Sequence, residues 1–353
     1  MDKAHLIAMD VHCRSTCLAS MSPGGRVSPP RTLPTTIPDL VAAINAVPRP
    51  RIVILEEGGM SDWLYRNFLP HADEVIVCDP RRNALIAKDG DKDDPIDVLK
   101  LLHLGRSGHL KKVHHAGTQS RTILKQLVAG YHQEVELRVQ LANQVLGYLR
   151  QWGLVLSEKD LKDEAARSKW RSQLPRSKTV SVQLQALLKS HDLAAQQVQD
   201  LRRQIARLAK AQPMMARFQE VPGIKLVRAA TLLVYLDTPF RFKSKQALWK
   251  YIGIGLVRRR SGDGPERLGV PLSCHRRLKG VILGAAKSAL RTKTPNPFQA
   301  IYHRSIEHGK SPRIARRDVA RALAAVLWGM WKSQSDYRPD WVGVEAHELN
   351  RRS

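Results

Sequence analysis

The chain has 353 residues, with 58 Lys and Arg against 32 Asp and Glu, a formal net charge of +26. This length carries two or three domains without help from disulfides, and the charge excludes an ordinary near-neutral soluble enzyme and calls for a polyanionic partner. Apolar runs too short to span a bilayer exclude a membrane anchor, which leaves nucleic acid.

Met1-Asp2-Lys3-Ala4-His5 lacks the apolar segment of a secretory signal. The four cysteines, Cys13, Cys17, Cys78 and Cys274, show no disulfide framework. A reducing cytoplasm is therefore the expected compartment. His12, Cys13 and Cys17 suggest zinc at first sight, but no second Cys/His pair stands at ligand spacing.

In chain order, His5 to Val11 reads as a strand ending near Asp10. Thr16 to Met21 and the segment from Arg26 onward flank Ser22-Pro23-Gly24-Gly25, a composition that closes a hairpin. A helix is expected over Pro38 to Ala46. Arg51-Ile52-Val53-Ile54-Leu55 then reads as a buried parallel strand ending in Glu56-Glu57-Gly58-Gly59. A helix from Ser61 and a strand over Glu74 to Cys78 follow. The resulting order, β-β-β-α-β-α-β-α, is an α/β pattern with the topology of RNase H-like nucleases.

The acids fall where that topology converges: Asp10 on the first strand, Glu56 or Glu57 at the end of the fourth, and Asp94 and Asp97 in Asp91-Lys92-Asp93-Asp94-Pro95-Ile96-Asp97. With Pro95 starting a helix, Asp94 and Asp97 point the same way. Such a cluster repels itself unless divalent cations neutralise it, and Mg²⁺ takes oxygen ligands of this kind. Two ions about 3.5–4 Å apart stabilise both the attacking and the leaving oxygen of a phosphoryl transfer. Taken singly, each acid is also compatible with a strand edge, a solvated loop or a helix cap.

From Thr118 the period changes to three and four. Leu124, Val128, Tyr131, Val135, Ala142, Val145, Leu149 and Trp152 form one apolar stripe, interrupted by Arg138. Leu184, Leu187, Ala194, Val198, Leu201, Ile205 and Leu208 form a second, interrupted by His191. Two long helices pairing as an antiparallel coiled coil are expected, joined by a polar, charged tip from Leu156 to Lys178. Arg202, Arg203, Arg207 and Lys210 offer phosphate contacts.

Val221-Pro222-Gly223-Ile224-Lys225 leads into an apolar helix, Val227 to Leu236. It has the form of a helix-hairpin-helix turn that grips a DNA phosphate, or simply of a tight helix–helix turn. A helix then ends at Gly253 and Gly255, followed by a basic loop, Arg258-Arg259-Arg260-Ser261-Gly262-Asp263-Gly264. The arginines suit a phosphodiester and the glycines permit close approach. On its own residues, Ser261 is a polar loop serine whose segment supplies no base. Two helices close the chain, Leu278 to Leu290 and Pro312 to Trp331. On the second, Arg313, Arg316, Arg317 and Arg321 form a basic face opposite Ile314, Leu323, Leu327 and Met330.

Together these segments resemble the DEDD transposases of bacterial insertion sequences, the insertion-sequence one-ten (IS110) family. The motifs that carry the resemblance are Ala8-Met9-Asp10-Val11, Glu56-Glu57-Gly58-Gly59, Asp91 to Asp97, Val221 to Ile224, and Gly255-Leu256-Val257 through Ser261-Gly262. It implies a RuvC-like domain over residues 1–117, a coiled-coil region over 118–212, a mainly helical transposase domain over 213–335, and a tail over 336–353. It further implies Asp10, Glu56, Asp94 and Asp97 as Mg²⁺ ligands and Ser261 as a nucleophile that attacks a DNA phosphate. Glu56 is preferred because the family's Glu stands three before the glycine matching Gly59.

Nucleic acid is then expected on Arg258, Arg259, Arg260, Gly223, Lys225, Arg316 and Arg317. The implied partners are donor and target DNA, a structured bridge RNA, and further copies of the chain in a dimer or tetramer. Leu272-Ser273-Cys274-His275 departs from the Lys-x-Gly-Asn/Asp that the family commonly carries there. Two other functions compete: a hydrolytic nuclease or Holliday-junction resolvase, in which Ser261 only binds, and a non-catalytic nucleic-acid-binding protein.

Overall fold

The structure is a computed structural model that describes residues 3–80, 93–259, 267–271 and 273–342. The chain divides into two compact units, Met1–Thr122 and Ile123–Ser353.

The first unit is built on a six-stranded mixed sheet of order β3-β2-β1-β4-β5-β6. The strands are β1 (His5–Val11), β2 (Ser15–Met21), β3 (Arg31–Pro34), β4 (Arg51–Glu56), β5 (Glu74–Cys78) and β6 (Lys112–Val113). β1 pairs antiparallel with β2 and parallel with β4, which in turn runs parallel to β5. The central strands are aliphatic on both faces because helices cover both. Leu6, Ala8, Ile52, Ile54 and Ile76 pack with Val98, Leu101 and Leu102 of α3 (Asp94–Arg106). Ile7, Met9, Val53, Leu55 and Val77 pack with Leu40 and Ile44 of α1 (Ile37–Asn45) and with Leu64 and Phe68 of α2 (Ser61–Phe68). Gly105 lets α3 lie against the sheet, since a Cβ there would sit 2.5 Å from Ile54 Cδ1.

The strand expected from Arg26 begins later. Val27 makes only an isolated bridge to Met21, and β3 starts at Arg31. Pro29 and Pro30 intervene, and a proline has no N–H to give to the ladder. Arg51 is buried at the foot of the unit. Its guanidinium donates to the carbonyls of Asn45 and Val47 at the end of α1, to Asn45 Oδ1, and to the His71 carbonyl.

In the second unit, α4 (Gln119–Arg150) and α6 (Lys178–Ala209) are 32 residues each. Leu124 and Val128 of α4 and Ile205 of α6 belong to the main helical core, whereas Ala142, Val145, Leu149, Leu184 and Leu188 belong to a separate cluster. Between these two clusters lies a cavity of about 600 Å³ bordered by Val135, Arg138 and Val198. The intervening tip, expected to be polar throughout, has a core of its own. Its helix α5 (Glu164–Arg171) buries Trp170, Leu161 is fully buried, and Arg167 forks onto Asp192 at 2.7 and 2.5 Å.

The main core joins α7 (Pro213–Glu220), α8 (Leu226–Leu236), α9 (Lys245–Ile252), α10 (Arg276–Leu290), α11 (Pro297–Glu307) and α12 (Pro312–Ser333). α11 begins at a full capping box of Asn296 and Gln299.

Candidate metal centre and nucleic-acid-binding elements

Strand parity places Asp10 and Glu56 on one side of neighbouring strands, whereas among the described residues only Asp10, His12 and Asp94 have ligand atoms close together. Asp10 follows Leu6 and Ala8 on the α3 side of β1, and Glu56 follows Ile52 and Ile54 on the same side of β4. Met9 pairs with Leu55, so Asp10 and Glu56 stand one residue further along two adjacent parallel strands. Glu57 is the next residue on, past the end of β4. Its backbone N–H donates to the Cys78 carbonyl at 2.9 Å.

α3 starts directly over this edge. Asp94 and Asp97 both lie in its first turn and are exposed, and the Asp97 N–H donates to the Asp93 carbonyl at 3.0 Å. Asp10, His12 and Asp94 have ligand atoms within 4.8 Å of one another. His12 Nε2 lies 3.2 Å from Asp10 Oδ2 and 3.5 Å from Asp94 Oδ1. The Asp10 carboxyl is pushed above the usual carboxylate range, first by burial and then by the charges of Asp94 and Asp97, with His12 acting in the other direction. Cys17 and Cys78, the cross-strand partners of Asp10 and Glu56, are buried on either side, and burial first, then Asp94 and Asp10, raises the Cys17 thiol.

His12, which in sequence stands beside Cys13 and near Cys17, meets carboxylates instead among the described residues. The available signal was the spacing Asp10-x-His12, which on a strand puts both side chains on one face.

In the second unit, the Pro-Gly-Ile turn joins α7 to α8. Gly223 has φ +84°, and a Cβ there would stand 2.3 Å from the Ala285 carbonyl oxygen of α10. Its own carbonyl accepts from Arg228 Nη1. This glycine is thus required by close helix packing, while Lys225 beside it is exposed. The segment expected to be an irregular basic loop starts and ends in a two-stranded hairpin, β7 (Val257–Arg259) and β8 (Arg267–Gly269). Arg258 is exposed on β7 opposite Leu268. Arg260 and Ser261 lie outside the described residues.

The hairpin grows from a fixed base. Gly253, at φ +87°, ends α9. Arg321 Nε donates to the Ile254 carbonyl at 2.8 Å and its Nη1 pairs with Asp318 at 2.8 Å, while Trp249 Nε1 donates to the Arg321 carbonyl at 3.0 Å.

Arg321 is therefore turned inward, correcting its place on a free basic face, and Ile314 is 44% exposed, not on the apolar side. The apolar seam of α12 runs instead through Ala315, Val319, Leu323, Leu327 and Met330. Arg316 is exposed and Arg317 half-buried, the latter lowered in pKa by burial first and then by Arg313 and Arg321. The departure at Cys274-His275 is structural. Cys274 Sγ fills the space a Cβ on Gly253 would need, and His275 Nδ1 accepts from the Leu278 N–H at 3.2 Å, capping α10.

Comparison with known proteins sets this geometry in context. Residues 215–303, which run from α7 into α11 and enclose the β7–β8 hairpin, match the model of the family described as Transposase IS116/IS110/IS902 family. The y4pF/y4sB transposase of Sinorhizobium fredii (strain NBRC 101917 / NGR234) is 25% identical over 294 residues, covering 82% of this chain and 75% of that protein. The transposase for insertion sequence element IS1111A of Coxiella burnetii (strain RSA 493 / Nine Mile phase I) is 22% identical over 297 residues, covering 81% and 79%. Over most of its length the chain is thus similar to transposases of bacterial insertion sequences. No helix among the described residues is long and apolar enough to cross a membrane.

Proposed function

We propose that the protein cuts and rejoins DNA by transesterification at Ser261, with Mg²⁺ held by Asp10, Glu56, Asp94 and Asp97 and with a structured bridge RNA pairing to donor and target DNA. The observation that carries this reading is the meeting of Asp10 and Asp94 at one sheet edge, in a chain whose family match encloses Ser261. The sheet order β3-β2-β1-β4-β5, with its acids at that edge, supports an RNase H-like description of the first unit.

The donor set fits Mg²⁺: it offers carboxylate oxygens, and Asp10 is held above its usual range by burial and like charge, a cost that a bound cation offsets. When bound, the cation supplies charge neutralisation and Lewis-acid polarisation at the reacting phosphate. Ser261 supplies the nucleophile. Its Oγ bonds to phosphorus, one DNA strand leaves as an alcohol, and the serine proton passes in net balance to the leaving oxygen. One phosphodiester replaces another, so the strand can be rejoined without an external energy source.

Arg258, Arg259 and Arg260 precede the serine and bind the phosphate whose charge grows in the transition state. Lys225 beside Gly223, with Arg316 and Arg317, binds backbone phosphates away from the reacting one. The net charge of +26 holds RNA and DNA together. The long helices α4 and α6 serve assembly into a dimer or tetramer.

The test is a denaturing gel of the protein with Mg²⁺, labelled junction DNA and the flanking transcript, comparing wild type with Ser261→Ala. A protein-linked DNA band in wild type alone is the expected result. Free nicked DNA from both proteins would establish a hydrolytic nuclease in its place, and no cleavage by either a non-catalytic binding protein.

A further inference from the structure

The acidic edge contains one residue that a purely carboxylate centre does not need. His12 sits just past the end of β1, two residues from Asp10, and its ring lies beside that carboxyl. Its backbone is tied at both ends: its N–H donates to the Ser15 carbonyl at 2.9 Å, and its carbonyl accepts from Thr35 Oγ1 at 2.8 Å. Thr35 Oγ1 is in turn 2.8 Å from Thr16 Oγ1. The side chain is 56% exposed, so the core does not dictate its identity.

Its Nε2 is nearly equidistant from two carboxylate oxygens on different elements, at 3.2 and 3.5 Å. Ligand bonds of about 2.1 Å place neighbouring donors about 3.0–3.4 Å apart around one ion, whether octahedral or tetrahedral. The His12 separations, 3.2 and 3.5 Å, are close to that spacing, and the ligand atoms of Asp10, His12 and Asp94 all lie within 4.8 Å of one another.

We propose that His12 is an additional nitrogen ligand of this centre for divalent first-row transition cations, so that Mn²⁺ binds more tightly here than to the carboxylates alone, while Mg²⁺ is still held by the carboxylate oxygens. The proposal rests on the reading that these carboxylates hold a cation at all. Mg²⁺ dehydrates reluctantly and keeps oxygen ligands. Imidazole is a ligand of the transition ions, and Mn²⁺ also accepts the hard carboxylate set. With His12 the centre therefore discriminates between two ions that carboxylates alone hold in much the same way.

The test uses the full-length protein and binding rather than activity. MnCl₂ and MgCl₂ are titrated calorimetrically into wild type, His12→Ala and Asp10→Asn, and spin-echo spectra of bound Mn²⁺ are recorded for coupling to ¹⁴N. His12→Ala is expected to weaken Mn²⁺ about tenfold, to change Mg²⁺ less than about twofold, and to abolish a ¹⁴N modulation present in wild type. The idea is overturned if wild type shows no ¹⁴N modulation, or if His12→Ala leaves Mn²⁺ untouched while Asp10→Asn weakens both ions. Should Asp10→Asn alter neither, the carboxylate centre itself fails, and the role of His12 with it.

Discussion

Acidification should destabilise the second unit through His275. Its ring is packed against Tyr235 and Tyr251, with centroids 4.6 and 5.8 Å away. Burial, with Arg241, Arg277 and Lys125 adding repulsion, lowers its pKa to about 4. Nδ1 must also stay unprotonated to accept the Leu278 N–H. The folded pKa lies below the unfolded one, so the unfolded chain binds the extra proton. The stability is present above pH 6.5 and is lost as pH falls toward 4. For a group moving from about 6.5 to about 4, the loss between pH 7 and pH 5 is about 2 kcal/mol. In His275→Asn the carboxamide retains the cap and cannot titrate. Urea unfolding followed by tryptophan fluorescence at pH 7 and pH 5 should show wild type losing about 2 kcal/mol more than His275→Asn over that interval. Parallel losses in the two proteins would refute the reasoning, because the missing ring contacts affect both pH values equally.

Three further outcomes follow from the packing. Gly223→Ala combines a positive φ with a Cβ 2.3 Å from a helix carbonyl, so its urea midpoint should fall by the equivalent of about 2–4 kcal/mol. Arg51→Met leaves the carbonyls of Asn45, Val47 and His71 without their buried donor and should destabilise the first unit by about 3 kcal/mol in thermal or urea melts. Asp10→Asn should abolish cleavage of junction DNA yet raise the urea midpoint of the first unit in EDTA at neutral pH. Its folded pKa is raised, so the wild-type stability present at low pH is lost as pH rises through that value, and the amide escapes this loss.

The sheet was legible where strands are buried on both faces: the aliphatic runs of β1, β4 and β5 have little other use. β7 and β8 were hidden because Val257-Arg258-Arg259 and Arg267-Leu268-Gly269 are short and charged, with pairing partners set by the hairpin rather than by alternation. α11 has a sparse apolar face, with Phe298 fully buried and Ile301 partly so, and its readable signal was the cap, Asn296-Pro297 with Gln299. At the tip, Leu161 and Trp170 lie in a charged stretch whose average polarity masks a small core. Asp10, Glu56, Asp94 and Asp97 could be read as one group only through the expected topology. The spacing Asp10-x-His12 links His12 to Asp10, but its approach to Asp94, which arrives from a helix, is encoded by no periodicity.

The alternation that turns Asp10 toward α3 also governs how copies of such an element can decay. Removing one codon between His5 and Asp10 preserves the reading frame but would carry the carboxylate to the opposite side of β1, among Leu40, Leu64 and Phe68. A charge there has no partner and no solvent, so the penalty falls on folding before it reaches chemistry. Sequence drift at an exposed position such as Asp94 would, on the proposed function, remove a metal ligand while leaving the fold intact; a change of length in β1 would instead disrupt the fold. Inactive copies that still yield protein should therefore carry substitutions in this strand and keep its residue count.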